Sequence, residues 1–190
     1  MIRSLVIIST LFCGSFLVQS DQKPAIIIRD INGGIQTPLT ANGKKPSVLF
    51  FITHDCPVAN KLAPEIRRIV EGYRTKAQFT LVYVDPDMTT ADVTTHRKDY
   101  NYTKLNTIHD LKHTLVRATG ATVTPEAVVT ESNGHIVYRG RINNFYEDFG
   151  KPRKIITQHD LRDTLDALLA GKPVPKPRGK CIGCFIPKIN

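Results

Sequence analysis

Three cysteines of this 190-residue chain, Cys56, Cys181 and Cys184, have the residue type and spacing to do chemistry. A thiol can act as a nucleophile, bind a metal or fill a buried position in a core. Cys56 follows shortly after the apolar run "PSVLFFIT" and directly precedes Pro57. Cys181 and Cys184 form a C-x-x-C pair near the C terminus. The elements around them decide between these uses.

Cys56 is predicted to lie where a strand gives way to a helix. The run before it is short, apolar and rich in β-branched and aromatic residues, as in a buried strand. Pro57 and the apolar spacing after it indicate a helix, with a kink expected at Pro64. The partial positive charge of a helix N-terminus stabilises a thiolate, although Asp55 would oppose this effect and a protonated His54 would support it. A buried structural cysteine remains the alternative.

The other segments predict alternating strands and helices. The segment "AIIIRDINGGIQTPLT" indicates a hairpin, "AQFTLVYVDPD" a strand, and "TTADVTTHRKDYNY" a segment with weak helical character. A helix over "DLKHTLVRATG" would turn Leu111, Leu115 and Val116 inward, and "ATVTPEAVVTESNGHIVYRGRI" indicates a second hairpin. The last helix, "TQHDLRDTLDALLAG", places four leucines on one face: Leu161, Leu165, Leu168 and Leu169. The sequence therefore predicts an α/β domain with a central sheet.

Pro125 is unusual because it follows Thr124 in what reads as a central strand, where proline cannot donate to the ladder. A cis Thr124–Pro125 bond beside the thiol would accommodate it. The arrangement would leave an open backbone edge that can pair with a bound chain.

Residues 1–20 have the pattern of a secretory signal peptide, with a basic start at Arg3, an apolar centre and a small-residue exit. We therefore expect an exported protein, periplasmic or secreted, without a transmembrane span in the mature chain. Lipoprotein anchoring at Cys13 is the less favoured alternative because the bulky Phe12 precedes it.

After removal of the leader, we expect one domain over residues 21–170 and a proline-rich tail over residues 171–190. The formal net charge of +9 becomes +8 without Arg3, and the basic residues are scattered without a nucleic-acid motif. The charge gives weak support to an acidic partner or anionic membrane surface, and we expect no nucleic-acid partner. An odd number of cysteines in an oxidising compartment favours redox exchange.

The order of these segments resembles the thioredoxin-like superfamily in its redoxin branch, which includes peroxiredoxins and periplasmic thioredoxin-like reductases. The resemblance covers about residues 25–170 and is carried by "RDINGGIQTPL", "LFFITHDCP", "LVYVDPD" and "LVRATGATVTPEAVVTESNGHIVYRG". It implies a thioredoxin-like central mixed sheet flanked by helices, with an N-terminal hairpin. It also implies that Cys56 is the reactive thiol and that Pro125 is a cis-proline facing it.

Several positions depart from the family patterns. Ala59 stands where a thioredoxin-type site has its second cysteine, so exchange within that motif is excluded. Thr53 matches the threonine of a peroxiredoxin-like motif, but Leu49 replaces its proline. Asn60 replaces the second cysteine of copper-delivery relatives, which makes a two-thiolate copper site in this loop an unfavoured interpretation.

The C-terminal tail offers the missing second thiol. A flexible, polyproline-like arm from Gly171 to Cys181 could span about 30 Å, enough to reach Cys56. Haem attachment is excluded because Phe185 follows Cys184 where histidine would be required. Structural zinc and a permanent disulfide between the tail cysteines remain open alternatives. We favour resolution of Cys56 by Cys184 or Cys181.

The histidines indicate no metal site: His109 and His113 would share a helix face without a third ligand, and the others are scattered. The leading hypothesis is an exported thiol redox protein that attacks a protein disulfide or a peroxide through Cys56, with Thr53 and Pro125 in its site and an external thiol as reductant. It requires no cofactor. The alternative is a thiol-dependent metal carrier, for which copper is the candidate. The sequence does not predict the oligomeric state.

Overall fold

The computed structural model describes residues 25–40 and 44–189. The expected leader, residues 1–20, and Cys13 lie outside this part of the chain. Within the described ranges, no helix has both the length and the apolar character needed to cross a membrane.

Strands and helices alternate through most of the chain. The strands are β1 (Ile28–Arg29), β2 (Ile35–Gln36), β3 (Ser47–Ile52), β4 (Gln78–Tyr83), β5 (Asn106–His109), β6 (Val123–Thr124), β7 (Glu126–Thr130), β8 (Ile136–Gly140), β9 (Tyr146–Asp148), β10 (Lys151–Pro152) and β11 (Cys184–Phe185). The helices are α1 (Pro57–Tyr73), α2 (Thr90–Asp99), α3 (Thr114–Thr119) and α4 (Asp160–Leu169).

A five-stranded mixed sheet in the order β5-β4-β3-β7-β8 forms the centre of the fold. Strand β3 is parallel to β4, and β4 is parallel to β5, whereas β7 runs antiparallel to both β3 and β8. The antiparallel pair β1–β2 forms the predicted N-terminal hairpin. The predicted α/β class and the central mixed sheet are therefore confirmed.

The central strand β3 is buried on both faces of the sheet, which explains its continuous apolar sequence. Val48, Phe50 and Ile52 pack in one core with residues of α1 and α4, whereas Leu49 and Phe51 pack in a second core with residues of α3. Burying side chains of this size contributes about 1.5–3 kcal/mol each. This packing fixes the carboxyl end of β3, from which the chain leads to Cys56.

The helices between β4 and β6 differ from the sequence prediction in two respects. Helix α2 is complete and begins at a capping box formed by Thr89 and Asp92, although its sequence is largely polar. Of the segment "DLKHTLVRATG", which was predicted to be helical throughout, only α3 forms a helix. The buried Asp110 carboxylate accepts hydrogen bonds from the first N–H groups of α3, so the helix begins after Asp110. Leu111 precedes α3 and is 48% exposed, so its predicted inward orientation is wrong.

Two other predictions about helix faces are also wrong. Leu169, at the end of α4, is 38% exposed and does not share the buried face of Leu161 and Leu165. His109 lies in β5 and His113 is the N-cap of α3, so these two histidines do not share a helix face. At Pro64, where a kink was expected, helix α1 is not interrupted and runs as one element of 17 residues.

A series of hydrogen bonds that begins in the core connects α2 to the start of α1. The Tyr83 hydroxyl lies 2.8 Å from His96 Nδ1, and His96 Nε2 lies 2.9 Å from Asn60 Oδ1. Asn60 Nδ2 in turn donates to the His54 carbonyl at 2.8 Å. Because a carbonyl only accepts, the amide orientation requires Nε2 of neutral His96 to donate and Nδ1 to accept from Tyr83. These hydrogen bonds therefore hold the loop immediately before Cys56.

This connection makes stability depend on pH. Burial, aided by the positive charge of His54, lowers the pKa of His96 from 6.5 to about 4. Below pH 6.5 the unfolded chain takes up a proton that the folded chain does not, so the stability contributed by neutral His96 falls progressively from about pH 6.5 and is lost by about pH 4.

We predict that lowering the pH from 7.5 to 5 reduces the free energy of unfolding by about 1–2 kcal/mol through His96 alone. Urea denaturation at both pH values should show a smaller decrease for His96→Gln, which cannot titrate. An equal decrease in the wild type and in His96→Gln would contradict the prediction, because the remaining titrating groups are the same in both proteins.

Candidate active site

Cys56 occupies the N-cap position of α1, directly after the loop that leaves β3. The Asn60 amide donates to its carbonyl at 3.0 Å, which begins the helix with the thiol at its N-terminal end. The side chain is fully buried. Its Sγ donates a hydrogen bond to the Thr124 carbonyl at 3.1 Å. The predicted strand-to-helix junction is therefore present, and the thiol faces β6.

The peptide bond between Thr124 and Pro125 is cis, as anticipated from the proline in this strand. Pro125 separates β6, which lies outside the central sheet, from β7, with which the chain enters that sheet. The Thr53 hydroxyl lies 3.3 Å from the Thr124 hydroxyl in a buried contact. Three of the predicted site residues, Cys56, Thr53 and Pro125, are thus gathered around Thr124.

The C-terminal tail returns to this place as a strand. Strand β11 pairs antiparallel with β6, with Cys184 opposite Thr124 and Phe185 opposite Val123. The Thr124 hydroxyl contacts the Cys184 carbonyl at 3.4 Å, and the Ile186 amide donates to the Thr122 carbonyl at 3.0 Å. The expected flexible arm is instead docked, because its backbone completes the open edge of β6.

Docking brings Cys184 close to Cys56, because Cys184 pairs with Thr124, whose carbonyl accepts from Cys56 Sγ, and packs against the core that contains Cys56. Burial, a hydrogen bond with Cys56 and the negative charges of Cys56 and Asp55 raise the pKa of Cys184 to about 12. Cys184 is therefore protonated at neutral pH, and the three cysteines of the described chain are free thiols. A second thiol thus stands beside Cys56 without a second cysteine in its loop.

An ion-pair cluster anchors the tail before it reaches β11. Arg178 donates to Asp160 through Nε at 3.1 Å and also contacts Asp163. Arg141 donates to the other oxygen of Asp160 at 2.9 Å. Burial raises the pKa of Asp160, but the hydrogen bonds from both arginines outweigh it and hold that pKa below its usual value. The buried carboxylate is thus charged and paired on both oxygens.

Cys181 has different surroundings from Cys184. Burial, followed by the negative charge of Glu126, raises the pKa of Cys181 to about 12. Burial also raises the pKa of Tyr138, and the negative charge of Cys181 adds to that increase. The pKa of Cys184, by contrast, is raised by burial and by Cys56 itself. Of the two tail cysteines, Cys184 is the one that the structure places against the Cys56 thiol.

Near the site, His54 Nδ1 lies 3.4 Å from an oxygen of Asp85. With Asp55 these side chains place potential ligand atoms within 4.8 Å of one another, the only such group of three among the residues described. The histidine and Asp55 are exposed, and the ion pair between His54 and Asp85 accounts for their proximity. The cysteines are not members of this group.

Sequence reasoning missed two residues that form the site. Thr124 organises it through its carbonyl, its hydroxyl and its pairing with β11, and the only signal was its position before Pro125. Tyr146 lines the cleft beside Pro125, and burial, followed by the negative charge of Cys56, raises the pKa of this tyrosine. Nothing in the sequence pattern indicated Tyr146.

Comparison with known proteins agrees with this geometry. Residues 43–136 match a family model described as thioredoxin-like. The matched segment includes Thr53, Cys56 and Pro125. No curated protein matches the chain significantly in sequence.

Solved structures share the fold at low sequence identity. An uncharacterised conserved protein from Geobacillus kaustophilus is 21% identical, has a TM-score of 0.74, and is matched over 89% of this chain and 91% of its own. A hypothetical protein from Sinorhizobium meliloti is 22% identical with a TM-score of 0.72, over 86% and 90% of the two chains. A secreted disulfide oxidoreductase from Mycobacterium tuberculosis, homologous to DsbE of E. coli, is 16% identical with a TM-score of 0.55, over 77% and 96%. The family match, the mixed sheet and the cysteine facing a cis-proline identify this chain as a member of the thioredoxin-like superfamily.

Proposed function

We propose that this chain is an exported thiol–disulfide oxidoreductase in which Cys56 attacks a disulfide of a polypeptide and Cys184 resolves the product. The observation that carries the proposal is the pairing of β11 with β6, which places Cys184 opposite Thr124, the residue whose carbonyl accepts from Cys56 Sγ. The thioredoxin-like fold and the similarity to a disulfide oxidoreductase support the same chemistry.

The exchange proceeds in two balanced steps. The Cys56 thiolate bonds to one sulfur of the substrate disulfide, and the other sulfur leaves and takes a proton. The Cys184 sulfur then bonds to Cys56 Sγ, and the substrate sulfur leaves as the second thiol. The two protein thiols have supplied two electrons, the substrate is reduced, and the Cys56–Cys184 disulfide awaits an external thiol reductant.

The charges around Cys184 favour this order of steps. Burial is the main cause of the raised pKa of Cys184, and while Cys56 is free its hydrogen bond and its charge add to this effect, so the tail thiol stays protonated. Once Cys56 is in a mixed disulfide, both of these effects disappear, and the Cys184 thiolate forms more readily. Resolution therefore becomes easier only after the first step is complete.

A polypeptide disulfide suits the site better than a peroxide does. The edge of β6 offers backbone hydrogen bonds to an extended chain, as its pairing with β11 illustrates. A peroxide cannot use this edge. The hydroxyl of Thr53, the residue shared with the peroxiredoxin-like motif, is engaged with Thr124.

Export is part of the proposal. The basic, apolar and small-residue pattern of residues 1–20 supports it, as does the secreted nature of the Mycobacterium tuberculosis protein. An oxidising compartment would supply disulfide substrates and would also require a reductant to return Cys56 to its thiol state.

A thiol-dependent metal carrier is the second candidate, because two adjacent thiols are also soft ligands for Cu(I). Native mass spectrometry of the isolated protein separates the two functions. Stoichiometric copper or zinc that is lost in Cys56→Ser and Cys184→Ser would favour the carrier, whereas a metal-free protein with redox-active thiols favours the oxidoreductase.

We predict that oxidation of the reduced protein by one equivalent of a small disulfide yields a Cys56–Cys184 bridge. Peptide mapping without reductant should find this bridge in the wild type and equally in Cys181→Ser, the matched control. Cys184→Ser, and deletion of residues 180–190, should leave Cys56 as a mixed disulfide or an intermolecular dimer. Exclusive formation of a Cys181–Cys184 bridge would refute resolution by the tail.

We also predict that the protein reduces insulin disulfides with turnover in the presence of an external thiol, and that Cys56→Ser abolishes this activity. In stopped-flow measurements, hydrogen peroxide should oxidise Cys56 no faster than it oxidises free cysteine at the same pH. Rapid peroxide oxidation without insulin reduction would instead identify a thiol peroxidase.

A further inference from the structure

Gly183, the residue immediately before Cys184, lies against the backbone of β6. A Cβ atom at this position would lie 2.0 Å from the Thr124 carbonyl oxygen and 2.7 Å from its carbonyl carbon. Gly183 is not among the glycines with a positive φ, so the constraint is one of space and not of backbone conformation. Any side chain at this position would collide with main-chain atoms.

The obstructing backbone cannot move without disturbing the site. The Thr124 carbonyl accepts the hydrogen bond from Cys56 Sγ, and the next peptide bond leads to Pro125. A shift of that carbonyl by the distance needed would break its contact with the nucleophile. The close approach of Gly183 is therefore a condition for placing Cys184 beside Cys56.

A substrate must satisfy the same condition. Cys56 attacks a sulfur only if that sulfur reaches the place where the Cys184 sulfur lies in the docked tail. An extended segment that pairs with β6 in the register of β11 puts its own cysteine opposite Thr124. The residue before that cysteine then lies where Gly183 lies, under the Thr124 carbonyl.

Other tail positions define the rest of this subsite. Ile182 borders a cleft beside Pro125, together with Leu62 and Tyr146. Phe185 is 85% exposed, whereas Ile186 packs against the second core. The position after the cysteine is therefore open to solvent, and the two apolar positions on either side of the Gly-Cys-Phe segment face the protein.

We propose that the edge of β6 selects extended polypeptide substrates in which glycine immediately precedes the disulfide-bonded cysteine, and that the tail is the resident occupant of this subsite. The inference rests on the proposed function, in which Cys56 attacks a polypeptide disulfide. The bond that forms joins Cys56 Sγ to the substrate cysteine, and the displaced sulfur leaves as a thiol. The substrate strand then unpairs from β6 while its cysteine stays bonded to Cys56, the tail returns to the edge, and the Cys184 sulfur bonds to Cys56 Sγ as the substrate sulfur leaves as a second thiol.

Model disulfides test the selection directly. Peptides acetyl-Ile-Gly-Cys-Phe-Ile-amide and acetyl-Ile-Ala-Cys-Phe-Ile-amide are each prepared as mixed disulfides with thionitrobenzoate, whose release is coloured. The chain without residues 1–20, carrying Cys181→Ser and Cys184→Ser so that Cys56 is its one remaining cysteine, is mixed with each peptide in a stopped-flow instrument. Rates with glutathione in place of the protein correct for differences in intrinsic reactivity.

The glycine peptide should react about tenfold or more faster than the alanine peptide, since overpacking against a fixed backbone has effects of this size. A third peptide, with alanine in place of phenylalanine after the cysteine, should react like the first because Phe185 is exposed. Equal rates for the glycine and alanine peptides would overturn the selection while leaving Cys56 as the nucleophile. If none of the peptides reacts faster than the mixed disulfide of free cysteine, the proposed function itself fails.

A substitution of Gly183 tests whether the tail occupies the subsite. Gly183→Ala should expel β11 and raise the rate of Cys56 alkylation by iodoacetamide about tenfold or more, because the thiol is fully buried in the docked state. Gly72→Ala is the matched control, since a Cβ at Gly72 would meet nothing within 4 Å. Unchanged alkylation in folded Gly183→Ala would show that the tail does not occupy this edge in solution.

Discussion

The site depends on the main chain of Thr124. This residue accepts the Cys56 thiol on its carbonyl, contacts Thr53 through its hydroxyl and pairs with Cys184 across two short strands. Strand β6 lies outside the central sheet and is joined to β7 through the cis bond to Pro125, and its edge pairs with β11. Every group that takes part in the proposed exchange is therefore positioned relative to one short piece of backbone.

A consequence of this arrangement is that the resting thiol is covered. Cys56 is fully buried while β11 is docked, so the tail must leave before a polypeptide substrate can reach the sulfur. The ion pairs of Arg178 with Asp160 and Asp163 lie upstream of β11 and hold the tail near the site when the strand itself opens. A tethered thiol has an effective concentration on the order of millimolar, so resolution by Cys184 would compete well with dilute external thiols.

The sequence predicted the features of this fold that depend on strong local patterns. The buried strand before Cys56, the helix after Pro57 and the strand hairpins have clear apolar periodicity or turn signals. Helix α2 was underestimated because its apolar contacts come from Val93 and its polar residues His96 and Arg97 are buried through hydrogen bonds. Strand β5 is only four residues long and carries polar residues, so no pattern separated it from the following turn.

The docked tail could not be predicted from local patterns. Strand β11 has two residues, and its stability comes from pairing with a strand about 60 positions earlier in the chain. The reach of the tail indicated that Cys184 could approach Cys56, but neither spacing nor composition indicated the register. Gly183 within the C-x-x-C pair was the available signal, and its meaning appears only when the Thr124 carbonyl is seen beside it.

Hydrogen exchange at the Ile186 amide is the most direct measurement of this arrangement. In the docked tail this amide donates to the Thr122 carbonyl at 3.0 Å, so NMR of the reduced full-length protein should find it exchanging about a hundredfold or more slowly than in an unstructured peptide. Protection of this amide would show that β11 is paired with β6 in solution, which is the condition for bringing Cys184 to Cys56. Exchange at the rate of an unstructured peptide would contradict the account, because the tail would then be a free arm.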